Sequence, residues 1–162
     1  MRNKNRWINI ILTITAITLA CLCVASVVEP IAFQKKQKER EEKVKTVLVR
    51  IREAQLAFMR TNGRYSASLD TLVCLHLLTP DDTTIPYSEG MPFELSIDSI
   101  RLRNGMVMPL MQCGARYEDY LYGMDEKTIA RLTYDADNQG RYPGLVIGNT
   151  DMPNNNEGNW ER

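Results

Sequence analysis

The chain has 162 residues, with 20 Lys and Arg balanced by 20 Asp and Glu, one histidine and four cysteines. A lone histidine leaves a His-based dyad or two-histidine metal site without its second member, and the basic residues lack the interleaved aromatics of a nucleic-acid platform. Nucleic acid is excluded as an expected partner, and the size admits one domain with a modest core.

Arg2, Lys4 and Arg6 open the chain, and Trp7 sits where an interfacial aromatic anchor would stand. Ile8 to Val28 follow as 21 residues without a charge. As a helix they span roughly 31 Å, about the thickness of a bilayer's hydrocarbon core. Three other readings compete: a signal peptide cleaved near Val24-Ala25-Ser26, a lipoprotein signal ending at Cys21, and a buried core helix. The run exceeds the about 7–15 apolar residues of a signal peptide. It continues past Cys21, and a core helix of this length needs a larger domain around it. A single-pass transmembrane helix is expected.

Orientation rests on the flanks. Lys35, Lys36, Lys38, Arg40, Lys43 and Lys45 outnumber the basic residues before the run, but Glu39, Glu41 and Glu42 are interleaved among them. A short basic N-terminus before an apolar run is the form of an uncleaved signal anchor. The N-terminus is therefore placed inside, with the rest of the chain on the periplasmic side of a bacterial inner membrane. Glu29-Pro30 predicts a kink or break at the end of the span.

From Ile31 to Thr61 the pattern is helical. Val44, Val47, Ile51, Ala54 and Phe58 recur at intervals of three and four and form one apolar face. The preceding stretch QKKQKEREEKVK has almost no apolar face, so it is expected at solvent, at headgroups or under a neighbouring subunit. The stripe is expected to pack on the protein's own domain, a short coiled coil being the alternative. Asn62-Gly63 closes the helix. Ser68 predicts the N-cap of a short, mostly buried helix through Leu78 containing Leu69, Leu72, Val73, Leu75, His76 and Leu77.

Phe93 to Asp98 alternates apolar and polar residues as a half-buried strand does. Asn104-Gly105 predicts a hairpin, with Met106–Met111 returning and Pro109 marking an edge or bulge. Tyr117, Tyr120, Leu121 and Tyr122 form an aromatic cluster. Asp125 is expected to cap a helix to about Asp135 with Ile129 and Leu132 inward, and Tyr142–Ile147 to form a last strand. The fold class is α+β: an N-terminal transmembrane helix continuing into a long amphipathic helix packed on a small antiparallel sheet. Three regions are expected: 1–30 as cytoplasmic tail and anchor, 31–148 as stem and head, and 149–162 as a loosely held Asn-rich tail unless Trp160 docks.

Residues 34–60 hold nine Lys/Arg against four Asp/Glu, a net of +5, and 61–162 hold eight against fifteen, a net of −7. A basic stem and an acidic head suit head-to-stem association between subunits, or contact of the stem with lipid headgroups. Cys74 and Cys113 are the two cysteines outside the apolar run, and in an exported domain a disulfide between them is one option. His76 reads as structural. Asp81-Asp82 and Asp135-x-Asp137 read as solvated turn acids, Ser66 and Ser68 lack a base, and no phosphate or dinucleotide loop occurs. No catalytic residue, metal or cofactor is expected.

The apolar run, the proline, the charged amphipathic continuation, Ile51-Arg52-x-Ala54-Gln55-x-Ala57-Phe58 and Asn62-Gly63-Arg64-Tyr65-x-x-Ser68-Leu69-Asp70-x-Leu72 together resemble the type IV pilin and pseudopilin stem. The resemblance covers roughly residues 8–75. It implies a small antiparallel sheet after the stem and a structural role in an envelope assembly such as a secretion machine. The prepilin peptidase signature is absent before the run, and the only nearby glutamate, Glu29, lies at its far end. Cleavage and the usual polymerisation are therefore not implied. Tyr142-Pro143-Gly144-Leu145 and the closing Asn154–Glu161 segment resemble an uncharacterised bacterial family of small membrane-anchored proteins, which implies no activity.

The expected function is a non-enzymatic structural or assembly component, with the lipid bilayer, copies of itself and other envelope-assembly proteins as partners. Glu29, Val44, Val47, Ile51, Phe58, Tyr117, Tyr120, Tyr122 and Trp160 are the candidate assembly residues. A stand-alone anchored periplasmic binding domain, with Tyr117, Tyr120 and Tyr122 as its ligand surface, is the alternative.

Overall fold

The computed structural model describes residues 2–161; the side chains of 2–6, 8, 9, 21, 22 and 24–30 lie outside the description. The chain divides after Gln37 into two compact units. The first belongs to helix α1, which runs Arg2–Asn62. Thr15 and Thr18 donate their hydroxyls to the carbonyls of Ile11 and Ile14, one turn earlier, at 2.9 Å each. Ile10, Ile11, Leu12, Ile14, Ile17 and Leu19 are all exposed. Among the described residues no helix is long and apolar enough to cross a membrane, and several side chains of the expected span 8–28 lie outside the description. Of the kink or break expected at Pro30, the break does not occur: α1 is helical across Glu29-Pro30. A proline removes one helical bond and leaves its neighbours, which is enough to bend a helix without ending it.

The second unit begins at Lys38. Here α1 buries the whole predicted stripe, Val44, Val47, Ile51, Ala54 and Phe58, and with it Leu48 and Gln55. The apolar face is therefore wider than a strict three–four stripe, as for a helix packed on a core rather than in a coiled-coil seam. Asn62 closes α1 by donating its amide to the Phe58 carbonyl at 2.9 Å, and Gly63 follows at φ +68°. Only a residue at ease in the left-handed region ends a helix this way at no cost.

Ser68 caps α2, Leu69–Cys74, by accepting from the Asp70 N–H at 3.1 Å. This helix is shorter than the sequence predicts. The Leu77 N–H returns to the Leu72 carbonyl and the His76 N–H to that of Val73, both at 2.9 Å, with His76 left-handed at φ +55°. This is a Schellman closure with histidine where glycine usually stands. As a result Leu75, His76 and Leu77 are exposed rather than part of a buried helix. A 3-10 turn, Pro80–Thr83, follows.

Strands β1 (Glu94–Arg101), β2 (Val107–Arg116) and β3 (Gly144–Gly148) form an antiparallel sheet in the order β1-β2-β3. The hairpin turns at Asn104-Gly105, as its residues predict, but β2 runs five residues past the expected Met111. Pro109 lies in the central strand yet on an open edge. β3 pairs only with 112–116, and residues 107–111 pair with β1 alone, so the missing N–H faces no partner. Helix α3 is Tyr117–Tyr120, and α4 is Glu126–Asn138, capped by Asp125 accepting from the Thr128 N–H at 2.8 Å.

The C-terminal segment is tied down, contrary to the loose tail expected from its composition. Gly158 bridges Ile147 on the outer edge of β3. Asn159 accepts from the Val146 N–H through Oδ1 at 3.3 Å, and its amide donates to the Gly144 carbonyl at 2.9 Å. Its own N–H bonds the Val146 carbonyl at 3.0 Å. One residue thus covers the edge of the strand with backbone and side chain together.

Candidate functional site: the stem residues and their partners in the second unit

The charged half of α1 that the sequence assigns to solvent or a subunit holds a local clamp. Arg40 donates from Nη1 to the carbonyls of Tyr120 (3.0 Å) and Tyr122 (2.8 Å), and its guanidinium lies 4.8 Å from the centre of the Tyr87 ring. The Tyr120 carbonyl ends α3 and that of Tyr122 lies just past it, and a cation is favoured at a helix C-terminus. Nearly three turns further along α1, Arg50 pairs with Asp82 at 2.6 Å. Asp82 also accepts from the Thr79 hydroxyl at 2.7 Å and is buried, so it is not the solvated turn acid expected. Asp135 and Asp137 lie on α4 and not in a turn. Arg52 pairs with Glu161 at 3.0 Å and reaches the Asn156 carbonyl at 3.3 Å. Asn156 in turn donates to the Tyr65 hydroxyl at 2.7 Å.

Placed on this frame, the candidate residues separate. Val44, Val47, Ile51 and Phe58 are buried within their own unit, so they hold the fold and are not surface for another subunit. Tyr120 is fully buried, while Tyr117 is half-buried with its ring centre 5.9 Å away. Burial and the nearby Glu41 carboxylate raise both phenols above their ordinary range. Tyr122 is exposed. The three tyrosines therefore do not make the joint ligand surface expected of them. Trp160 is half-buried, its ring centre 6.0 Å from Lys45 Nζ. The Glu29 side chain lies outside the described residues.

The remaining chemistry is quiet. Cys113 on β2 is fully buried, and burial pushes its thiol up to about 12, so it stays protonated. Cys74 is exposed, and the two are not joined. Among the described residues no three His, Cys, Asp or Glu stand together as a metal site. Arg40, Arg52 and Asn159 are the working residues that sequence reasoning missed. Each meets a backbone or side chain about 80 or more residues away, or a strand edge, and periodicity carries no signal for that. No protein-family model, curated protein or solved structure matches the chain.

Proposed function

We propose that the chain is a non-enzymatic, single-pass component of a bacterial envelope machine, built on a pilin- or pseudopilin-like stem. On this reading Ile8 to Val28 anchors it in the inner membrane and the second unit works on the periplasmic side. One observation carries the proposal. The 21 uncharged residues and the buried stripe from Val44 to Phe58 belong to the same helix, Arg2–Asn62. Lipid obliges a spanning segment to satisfy its own backbone, and a helix does so. Support also comes from the head, where a helix-ending Asn62-Gly63, a capped Ser68 and a three-stranded antiparallel sheet follow the stem in the order the resemblance implies.

The partners are the bilayer, further copies of the chain and other assembly proteins. Since the stripe is occupied by its own unit, contacts with them fall to the exposed basic residues Lys35, Lys36, Lys38 and Lys43 and to acidic surface on a neighbouring head. Crosslinking in native membranes tests this. Ladders of the chain with itself or with machine components are expected, reduced when these four lysines are replaced by glutamate. A chain that stays monomeric under crosslinking overturns the proposal.

A further inference from the structure

Beside β3 lies a cleft of about 670 Å³, within the roughly 300–1,000 Å³ of ordinary small-ligand sites. Its walls are β3, the turn before it and the C-terminal segment, with Gln112 of β2, Tyr117 of α3 and Ala136 of α4 completing them, all within the second unit. The asparagines of this wall are spent on the fold. Asn149 accepts from the N–H groups of Asp151 and Met152, Asn154 from that of Asn156, and Asn159 covers the strand edge. Four other lining side chains are unspent: Gln112, Arg141, Asp151 and Glu157 make no side-chain hydrogen bond or ion pair among the described residues. Tyr142 adds an aromatic ring held in place from two sides. Its hydroxyl donates to Glu94 at 2.7 Å, and its ring packs so closely on Gly114 that a Cβ there would sit 2.6 Å away.

We propose that this cleft binds a neutral saccharide. An amide, a guanidinium and two carboxylates offer donors and acceptors together, the pairing that vicinal hydroxyls require. An apolar ligand would leave these groups desolvated and unpaired. An anion would meet two carboxylates against one guanidinium. A sugar ring also presents an apolar C–H face suited to a fixed tyrosine. The Tyr142 ring and the asparagine-tied backbone of the wall are in place before a ligand arrives, so the ordering cost left to binding is that of the four unspent side chains. The inference rests on the cleft alone and not on how the chain is anchored or assembled.

The test is calorimetric titration of the full chain in a detergent without a sugar headgroup, using maltotriose and N,N′,N″-triacetylchitotriose as probes. Saturable binding of at least one trisaccharide at a single site is expected. Arg141→Ala and Glu157→Gln should each weaken it at least about tenfold. Both side chains are exposed and unpaired in the fold, so the melting temperature should stay at the wild-type value. Tyr142→Phe should keep binding because the ring remains. Absence of binding by both trisaccharides, variants that bind like wild type, or a neutral tripeptide that competes equally well would each overturn the inference.

Discussion

Gln55 and Ser66 exchange two hydrogen bonds inside the core. The Gln55 amide donates to the Ser66 carbonyl at 2.9 Å, and its Oε1 accepts from the Ser66 N–H at 2.8 Å. Both residues are buried. The side chain thus acts as a one-residue strand partner, holding the segment after α1 against the helix it has just left. Burying an amide is costly unless its bonds are made, and here donor and acceptor are both satisfied.

Gln55→Leu should therefore destabilise the chain by about 2–4 kcal/mol, because two buried backbone groups lose their partners while the packing volume is kept. Gln55→Glu should be worse than wild type at pH 7 and recover in acid. The carboxylate would face the Ser66 carbonyl, whereas the protonated acid donates to it, so its folded pKa is raised. A raised acid contributes stability at low pH and loses it as pH climbs through the folded value. Denaturant melts of variant and wild type at matched pH check this.

His76 stands at φ +55° in the position that ends α2, and it is exposed. A Cβ in this conformation costs about 1–2 kcal/mol, part of which glycine returns as unfolded-state entropy. His76→Gly should raise stability by about 0.5–1 kcal/mol, and His76→Ala should not. Thermal melts of the two variants separate relief of strain from loss of the imidazole.

Gly114→Ala should cost about 1–3 kcal/mol, because the new methyl would occupy the place of the Tyr142 ring. Tyr142→Ala should cost stability alone yet remove most of the penalty of the alanine at 114. The non-additivity of the double mutant, measured by denaturation, reads the contact directly.

Glu161 is held below its ordinary value of 4.5 by the bond from Arg52 and then by the Gly158 N–H. A carboxyl depressed in the fold adds stability above its unfolded value and gives it up as pH falls through the folded one. Docking of Trp160, followed by its fluorescence in a Trp7→Phe background, should weaken in acid. Glu161→Gln should remove that dependence at a cost of no more than about 1 kcal/mol.

Local chemistry made much of this fold readable in advance. The intervals between Val44 and Phe58 are the helix period itself, the caps at Ser68 and Asp125 act within three residues, and Asn104-Gly105 turns its hairpin by backbone preference. What escaped reading depends on distance or on a single replaced part. Gln55 looks like a polar interruption until Ser66 is folded against it. Arg40 reads as solvated charge until the carbonyls of Tyr120 and Tyr122 arrive. The Asn-rich end reads as loose because composition does not reveal that Asn159 mimics a strand, and α2 stops early because histidine takes the glycine's conformation. Tyr120, an apparent surface aromatic, is drawn inside because its ring fills the core beside Glu41.

The buried stripe makes a separate demand. Val47→Asp combined with Ile51→Asp should abolish folding of the second unit, since two unpaired carboxylates would enter the core. Far-ultraviolet circular dichroism and protease resistance of the full chain check it, and a native-like double variant would remove the stripe from the account.

On the proposed function, the opening of α1 holds the chain in a lipid bilayer and is retained in the mature protein. Carbonate extraction of native membranes, with mass spectrometry of the chain's N-terminus, decides this. The chain is expected to stay in the membrane pellet with residues 8–28 intact. A chain released into the carbonate wash, or one whose mature N-terminus lies beyond Ala25, would contradict it.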